Sequence, residues 1–177
     1  IQNVPKHISG VDEIEILAIN DGSKDLTEAE ANKAGAFVIT HASTMGLGKV
    51  FEEATHEALK RKAGILVTID GDGQFDPRDI PQLLSPLLQN KADFVTCSRF
   101  RDKSLAPKMS FAKKWGNRFL AWFLSRLTKQ RLTDVACGFR AYNRETLLNL
   151  NLFGKFTYTQ EALLDLSQKG FRIMEVA

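Results

Sequence analysis

The chain has 177 residues, of which 44% are hydrophobic and 25% charged, a composition typical of one folded domain and not of a disordered or fibrous protein. Its two cysteines, Cys97 and Cys137, form no zinc-type cluster, and no apolar run reaches the roughly 18 residues of a transmembrane helix. The net charge of +3 is unevenly distributed: residues 99–144 contain 12 Lys and Arg but two acidic residues. Such a block indicates an anionic partner, or else a solvated basic face.

Apolar runs alternate with helix-like segments along the chain. Strands are predicted over residues 15–20, 36–40, 65–69, 92–97, 139–142 and 171–176. Helices are predicted between them, over residues 25–35, 47–62, 77–89, 110–128 and 158–169. Repeated strand–helix units predict an α/β fold with a mainly parallel sheet covered by helices. Because ligands bind at the carboxyl ends of strands in such sheets, the residues after each strand are the candidates for a site.

The first strand ends in Asn20-Asp21-Gly22, and the helix after the second strand begins in Gly46-Leu47-Gly48-Lys49. Asp21 is suited to accept hydrogen bonds from a base or a ribose, while backbone amides and Lys49 at a helix N-terminus suit a phosphate. Both segments also fit an ordinary turn and helix cap. Neither has the spacing of a P-loop or of a GxGxxG fingerprint, so alone they do not identify a nucleotide site.

The strand over residues 65–69, predicted to be buried, is followed by Asp70-Gly71-Asp72-Gly73-Gln74. Two carboxylates at positions i and i+2 can converge on one hard cation, and Gln74 can add a carbonyl oxygen. This set is too small to enclose a metal, so it suits Mg²⁺ or Mn²⁺ shared with a substrate diphosphate. The alternative is a polar turn that caps the next helix.

The helix predicted over residues 110–128 combines aromatic and basic side chains. Trp115, Phe119 and Trp122 lie on one side, and Arg118 and Arg126 interleave with them. This pattern suits a membrane interface, and the alternative is a core helix whose basic side chains extend into water. No nucleic-acid-binding motif accompanies the charge, so nucleic acid is not an expected partner.

The segment over residues 133–140 combines a glycine with charged side chains. Gly138 allows close approach of the backbone, and Asp134 and Arg140 are expected to face the pocket. Cys137 has no base nearby in the sequence, so we expect a small buried residue and not a nucleophile. The histidines are scattered along the chain and receive no role.

The order of these motifs, together with Cys97-Ser98-Arg99-Phe100, resembles that of the family 2 glycosyltransferases of the GT-A fold. Within that family the chain looks like the polyprenyl-phosphate sugar transferases, of the dolichol-phosphate mannose or glucose synthase type. The resemblance implies one GT-A domain over residues 1–177, with a Rossmann-like, mainly parallel sheet and helices on both faces. It also implies a nucleotide-sugar donor, a polyprenyl phosphate acceptor and a peripheral location at the cytoplasmic face of the membrane.

The resemblance further implies roles for individual residues. The residues implied in catalysis are Asp72, Arg99 and Asp134. Those implied in binding the donor nucleotide are Asp21, Gly48, Lys49 and Asp70. A Mg²⁺ or Mn²⁺ ion is expected at Asp70, Asp72 and Gln74, and the acceptor phosphate is expected at Arg118, Arg131 and Arg140.

The chain departs from the family pattern at three places. The family begins with a strand ending in Pro-x-x-Asn-Glu, whereas residues 1–5 look like the segment that follows this strand. The asparagine that usually precedes Gly46-Leu47-Gly48 is absent, and the sequence stops at Ala177, where the family continues. We therefore expect a fragment that lacks the first strand and the C-terminal extension, and loss of that strand would expose unpaired backbone.

The implied reaction is transfer of a hexose from a donor of the UDP-glucose or GDP-mannose class to dolichyl or undecaprenyl phosphate. A phosphomonoester with a second pKa of about 6 is mostly dianionic near neutral pH, so it can attack the anomeric carbon directly and with inversion. Two other functions fit parts of the sequence. A haloacid-dehalogenase-type phosphatase also places Asp-x-Asp after a buried strand, and a non-catalytic membrane-docking domain requires only the basic aromatic helix.

Overall fold

A computed structural model gives the fold of residues 1–101, 111–152 and 157–177, with the backbone alone for residues 111–114. The chain first forms two strand–helix units, β1 (Leu17–Asn20), α1 (Thr27–Lys33), β2 (Phe37–Thr40) and α2 (Leu47–Lys60). β1 and β2 pair in parallel to form a two-stranded sheet. This parallel pair carries the ends of both strands, and the N-terminus of α2, to one side of the molecule.

The rest of the chain builds a four-stranded sheet. Its strands are β3 (Ile65–Thr68), β4 (Phe94–Cys97), β5 (Arg140–Asn143) and β6 (Ile173–Val176). The helices between them are α3 (Ile80–Leu88), which follows a 3₁₀ turn at Pro77–Asp79, α4 (Phe111–Thr128), α5 (Arg144–Asn149) and α6 (Tyr158–Gln168). The predicted elements are present with slightly different ends, and α5 is an element that the sequence pattern did not indicate.

The strand order of this sheet is β3-β5-β4-β6. β5 is antiparallel to both β3 and β4, whereas β4 and β6 are parallel. The predicted α/β class is confirmed, but the four-stranded sheet is mixed because β5 enters it in the reverse direction.

Helices cover both faces of the four-stranded sheet. On one face Phe94 of β4 and Tyr142 of β5 pack with buried side chains of α4 and α6. On the other face the neighbouring residues Val95 and Ala141 pack against α3. This alternation follows from the two-residue period of a strand, and each large apolar side chain buried in this way stabilises the fold by roughly 1.5–3 kcal/mol.

β3 is less buried than its apolar sequence predicts. All four residues from Ile65 to Thr68 are half-buried, whereas β4 is fully buried along its length. β3 has β5 on one side and stands last in the strand order of the sheet. The expectation of a buried strand was therefore wrong, because burial depends on the position of a strand in the sheet as well as on its hydropathy.

Candidate functional site

Three segments of the chain meet at one edge of the four-stranded sheet. β3 and β4 run in the same direction because each is antiparallel to β5, so both end where β5 begins. The register that pairs Thr68 with Arg140 places Asp70 opposite Gly138. On the other side of β5, the Cys97 amide donates to the Phe139 carbonyl at 3.0 Å. Residues 70–74, 98–100 and 134–139 therefore share this edge.

Gly138 lets the Asp70 carboxylate lie directly against the backbone. A Cβ atom at position 138 would lie 2.5 Å from Asp70 Oδ2, a distance that real Cβ atoms do not adopt. The Thr68 hydroxyl fixes the same backbone by donating to the Gly138 carbonyl at 2.7 Å. Partial burial, and then the charge of Asp72, raise the pKa of Asp70, while Arg99 and Arg140 act in the opposite direction. As expected, Gly138 allows close approach to the backbone, and the group that approaches it is the Asp70 carboxylate.

Asp72 and Gln74 lie in the exposed loop after Asp70, and the Gln74 amide donates to Asp72 Oδ1 at 3.0 Å. Within the described parts of the chain, no three His, Cys, Asp or Glu side chains come together to enclose a metal. Asp72 nevertheless lies close enough to Asp70 for its charge to raise the pKa of Asp70. Two neighbouring carboxylates of this kind are a ligand set that favours a cation. The residues present therefore fit a hard divalent cation such as Mg²⁺ or Mn²⁺, which would need further oxygen ligands from outside this loop.

Arg99 is held at the same edge by a buried carboxylate. Its Nε donates to Asp134 Oδ2 at 2.7 Å, and its Nη2 donates to Oδ1 at 3.0 Å. Asp134 is fully buried, whereas the Arg99 side chain is 20% exposed. The hydrogen bond from Arg99 to Asp134 is the main reason why the pKa of Arg99 is raised. Asp134 does not face an open pocket as expected, since its carboxylate is enclosed and orients Arg99.

Arg140 occupies a different position from the one that the sequence suggested. Its side chain is 0% exposed, and its guanidinium donates to the carbonyls of Cys137, Val135 and Thr159. An arginine enclosed in this way cannot reach an acceptor phosphate. The prediction that Arg140 faces the pocket and binds the acceptor was therefore wrong, because the side chain points into the core and ties β5 to α6.

A second group of predicted residues lies at the end of β1. Asp21 Oδ1 accepts hydrogen bonds from the Met45 amide at 2.8 Å and from His41 Nδ1 at 2.7 Å. Asp21 Oδ2 accepts from the Gly46 amide at 3.0 Å, and these contacts lower the pKa of Asp21. Gly22, which has a φ of +82°, lies so close to residues 43 and 44 that a Cβ atom there would meet the Thr44 nitrogen at 2.8 Å. Asp21 thus joins β1 to the start of α2.

Gly48 and Lys49 lie in the first turn of α2, as expected. The backbone of Gly46 begins this helix with a φ of 94°. The Lys49 ammonium is exposed and pairs with Glu52, one turn along the same helix, at 2.9 Å. Exposed pairs of this kind contribute little to stability, so a phosphate can compete for the lysine.

α4 lies beside the loop that carries Asp134. Asn117 Nδ2 donates to the Thr133 carbonyl at 3.3 Å, and Arg118 and Arg131 are exposed near that contact in the sequence. The aromatic face of α4 is exposed as well and comprises Trp115, Phe119, Trp122, Phe123 and Leu127. It is therefore not the core-facing side of the helix. In the described ranges no helix is long and apolar enough to cross a membrane.

Cys137 is buried, as expected. A hydrogen bond between its thiol and that of Cys97, together with burial, raises the pKa of Cys137. A thiol with a raised pKa holds little thiolate at neutral pH and is a poor nucleophile.

Sequence reasoning missed two residues that form hydrogen bonds with predicted site residues or their neighbours. His41 bridges Asp21 and Glu53, and Glu175 accepts hydrogen bonds from the amides of Thr133 and Asp134. Glu175 follows Asp134 by 41 residues, and His41 follows Asp21 by 20. No local spacing connects such residues, so only the three-dimensional fold reveals them.

Comparison with known proteins agrees with this architecture. Residues 6–150 match the model of Glycosyl transferase family 2. The chain is 28% identical to the UDP-N-acetylglucosamine–dolichyl-phosphate N-acetylglucosaminyltransferase of Methanococcus voltae, with 99% of this chain and 78% of that protein covered. It is 30% identical to the dolichyl-phosphate hexose transferase of Haloferax volcanii, with 88% of this chain and 65% of that protein covered.

The fold also resembles that of a solved structure. The structure of glucosyl-3-phosphoglycerate synthase from Mycobacterium tuberculosis, in complex with Mn²⁺, UDP-glucose and phosphoglyceric acid, aligns with a TM-score of 0.73 at 22% identity. The alignment covers 96% of this chain and 61% of that one, which confirms the GT-A-like fold. The chain thus spans between 61% and 78% of the length of these three proteins. From the match over residues 6–150, the chain belongs to glycosyl transferase family 2 and is a glycosyltransferase.

Proposed function

We propose that this glycosyltransferase moves a hexose from a nucleotide-diphosphate sugar, of the UDP-glucose or GDP-mannose class, to a polyprenyl phosphate. The observation that carries the proposal is the edge of the four-stranded sheet, where two neighbouring carboxylates lie beside an oriented arginine. The polyprenyl class of acceptor is supported by relatives named as dolichyl-phosphate sugar transferases. The donor class is supported by the structural neighbour from Mycobacterium tuberculosis, which was solved in complex with UDP-glucose.

Asp70 and Asp72, with Gln74, would hold Mg²⁺ or Mn²⁺, which when bound neutralises the charge on the departing nucleoside diphosphate. Partial burial and the charge of Asp72 raise the pKa of Asp70, and both effects favour a cation between the two side chains. Asp21, Gly48 and Lys49 are proposed to bind the nucleotide, in keeping with the position of these residues at the end of β1 and the start of α2.

Arg99, Arg118 and Arg131 are proposed to hold the acceptor phosphate. Arg99 is oriented by Asp134, so its guanidinium is held in place before the substrate arrives. A phosphate oxygen of the acceptor then forms a bond to the anomeric carbon, and the bond from that carbon to the nucleoside diphosphate breaks. The departing diphosphate keeps the electron pair, and direct attack inverts the anomeric centre. A dianionic acceptor needs no general base.

The aromatic face of α4 is proposed to lie against a membrane surface, where a polyprenyl phosphate resides. It brings Trp115, Phe119 and Trp122 together with Arg118 and Arg126, a combination that suits the boundary between acyl chains and anionic headgroups. This arrangement supports a peripheral location at a membrane surface, and the cytoplasmic face is the side that the resemblance to the polyprenyl-phosphate sugar transferases implies.

The decisive variant is Asp72→Ala, measured with UDP-glucose or GDP-mannose, a short polyprenyl phosphate and Mn²⁺. We expect transfer to fall at least about 100-fold, because one of the two carboxylates that would hold the ion is removed. Asp72 is exposed, so the melting temperature should stay close to that of the unaltered chain.

The matched control is Asp12→Ala, at an exposed aspartate outside the site, which should retain full transfer. Turnover by Asp72→Ala, or undiminished turnover of the unaltered chain in excess EDTA, would contradict the metal assignment. Absence of transfer by the unaltered chain, with vesicle binding that nucleotide does not alter, would favour a non-catalytic membrane-docking domain.

A further inference from the structure

His41 lies between two carboxylates that come from different elements. It directly follows β2, and its Nδ1 lies 2.7 Å from Oδ1 of Asp21, the residue after β1. Its Nε2 lies 2.6 Å from Oε2 of Glu53, which belongs to α2. The side chain of His41 is 15% exposed, so water screens these contacts less than it would on an open surface.

This geometry specifies the protonation state of the ring. An ionised carboxylate only accepts hydrogen bonds, and a neutral imidazole has one N–H group. Two carboxylates at hydrogen-bond distance therefore require both ring nitrogens to carry a proton, which makes His41 an imidazolium. The hydrogen bond to Asp21, and then the one to Glu53, raise the pKa of His41 accordingly.

The contacts of His41 close a ring of hydrogen bonds around the start of α2. Glu53 holds His41 from the second turn of that helix, and His41 holds Asp21. Asp21 in turn accepts from the amides of Met45 and Gly46, which immediately precede the helix. Loss of one proton from His41 would remove its hydrogen bond to one of the two carboxylates and would loosen this set of contacts.

We propose that His41 is a positioning residue for the donor nucleotide, which fixes Asp21 and the start of α2 only while both of its ring nitrogens are protonated. The inference rests on the proposed function, in which Asp21, Gly48 and Lys49 bind the nucleotide. His41 does not touch the substrate and acts through Asp21. Donor binding should therefore depend on a proton that takes no part in the transfer itself.

The pH dependence has a defined sign. The charged groups that face the imidazole are Asp21, from the loop after β1, and Glu53, from α2. Both favour the imidazolium, so the imidazole loses its proton only as pH rises through the raised pKa. Nucleotide affinity should fall over the same interval.

The test is calorimetric titration of the chain with UDP and with GDP, each with Mn²⁺, between pH 7 and pH 8.5. In this range the terminal phosphate of the nucleotide, with a pKa of about 6, no longer titrates. We expect His41→Gln to weaken binding at pH 7 by about tenfold, as for loss of a charge-assisted hydrogen bond, and to abolish the fall in affinity with pH.

Two further variants separate positioning from a general loss of structure. Glu53→Gln keeps the shape of the side chain but removes one charge that stabilises the imidazolium, so the fall in affinity should move to lower pH. His56→Gln alters an exposed histidine on the same helix and should bind like the unaltered chain.

The outcomes distinguish this inference from the proposed function. If His41→Gln binds nucleotide as tightly as the unaltered chain and with the same pH profile, the role of His41 is overturned and the transferase assignment stands. If the unaltered chain binds neither UDP nor GDP, the proposed donor site fails and the role of His41 fails with it. A weaker affinity whose pH profile is unchanged would show a merely structural contribution and would also overturn the inference.

Discussion

Arg118 and Arg140 both belong to the basic segment over residues 99–144, and the fold gives the two side chains different surroundings. Arg118 is exposed on α4, while Arg140 is buried and donates to three backbone carbonyls. The distinction comes from the packing of β5 against α6.

Replacement of Arg140 should therefore affect stability first. We expect Arg140→Met to lower the free energy of unfolding by about 3 kcal/mol, because three buried carbonyls lose charged donors. Arg118→Met should change it by less than about 0.5 kcal/mol, as is usual for an exposed side chain. Urea denaturation of both variants measures the difference, and equal stability of the two would contradict the structural role of Arg140.

The contact between Gly138 and Asp70 gives a second prediction for a single residue. Gly138→Ala would place a methyl group 2.5 Å from Asp70 Oδ2, so the carboxylate must move. We expect the Mn²⁺-dependent part of nucleotide binding to weaken by about tenfold or more, since a displaced ligand loses its metal geometry.

The control for Gly138→Ala is Gly64→Ala, where a Cβ atom meets nothing within 4 Å. Titration of nucleotide with and without Mn²⁺ on both variants isolates the metal-dependent part. Unchanged binding by Gly138→Ala would mean that the position of Asp70 against residue 138 has no part in holding the ion.

For individual residues, part of the site was predictable from the local sequence. Asp70 and Asp72 were identified because acidic residues follow an apolar strand directly, and a strand end is a local signal. The burial of Asp134 and the hydrogen bonds of His41 and Glu175 were not predictable. Each depends on a partner at least 12 residues away in the chain, and no alternation or spacing encodes such a partner.

Among the secondary-structure elements, α4 has apolar residues on two opposite sides. Ala121 and Leu124 face the core, while Trp115 is 63% exposed and Trp122 is 54% exposed. The rings of Trp115 and Phe119 stack with their centroids 5.7 Å apart, and Arg126 lies over Trp122 at 5.6 Å. An exposed aromatic cluster of this kind is typical of an interaction surface.

We expect Trp122→Ala to reduce binding to vesicles of phosphatidylcholine and phosphatidylglycerol by about tenfold, as for loss of one large apolar side chain from the interface. Vesicle sedimentation measures this effect. Leu148→Ala on α5 is the control, because Leu148 is 61% exposed but lies on another helix. Equal binding by Trp122→Ala and the unaltered chain would contradict the proposed membrane face.

Most helices and strands were predictable because the period of apolar residues is a local property. The direction of β5 and the half-burial of β3 were not, since both depend on which strands become neighbours. The short helix α5 was missed for a related reason. It starts directly after β5, where Asn143 caps it by accepting from the Thr146 amide at 2.8 Å, and the sequence shows no break between strand and helix.

For the whole molecule, the sequence supported the α/β class because strand and helix patterns alternate from one end to the other. It did not reveal that the strands divide into a two-stranded and a four-stranded sheet. The family match over residues 6–150 and the aligned fold confirm the class. The polar edge of the larger sheet, and not its core, is what distinguishes this molecule chemically from other α/β folds.

The topology of the four-stranded sheet also affects how the protein is made. β3 pairs with β5, and β4 with β6, across more than 70 residues of chain in each case. During synthesis the first half of the sheet must therefore leave the ribosome before its partners exist, whereas β1 and β2 can pair early. Contacts of such long range fold slowly and leave apolar strands exposed to other chains in the meantime. The same strand order that assembles the site therefore leaves the newly synthesised polypeptide open to aggregation until β5 and β6 have been made.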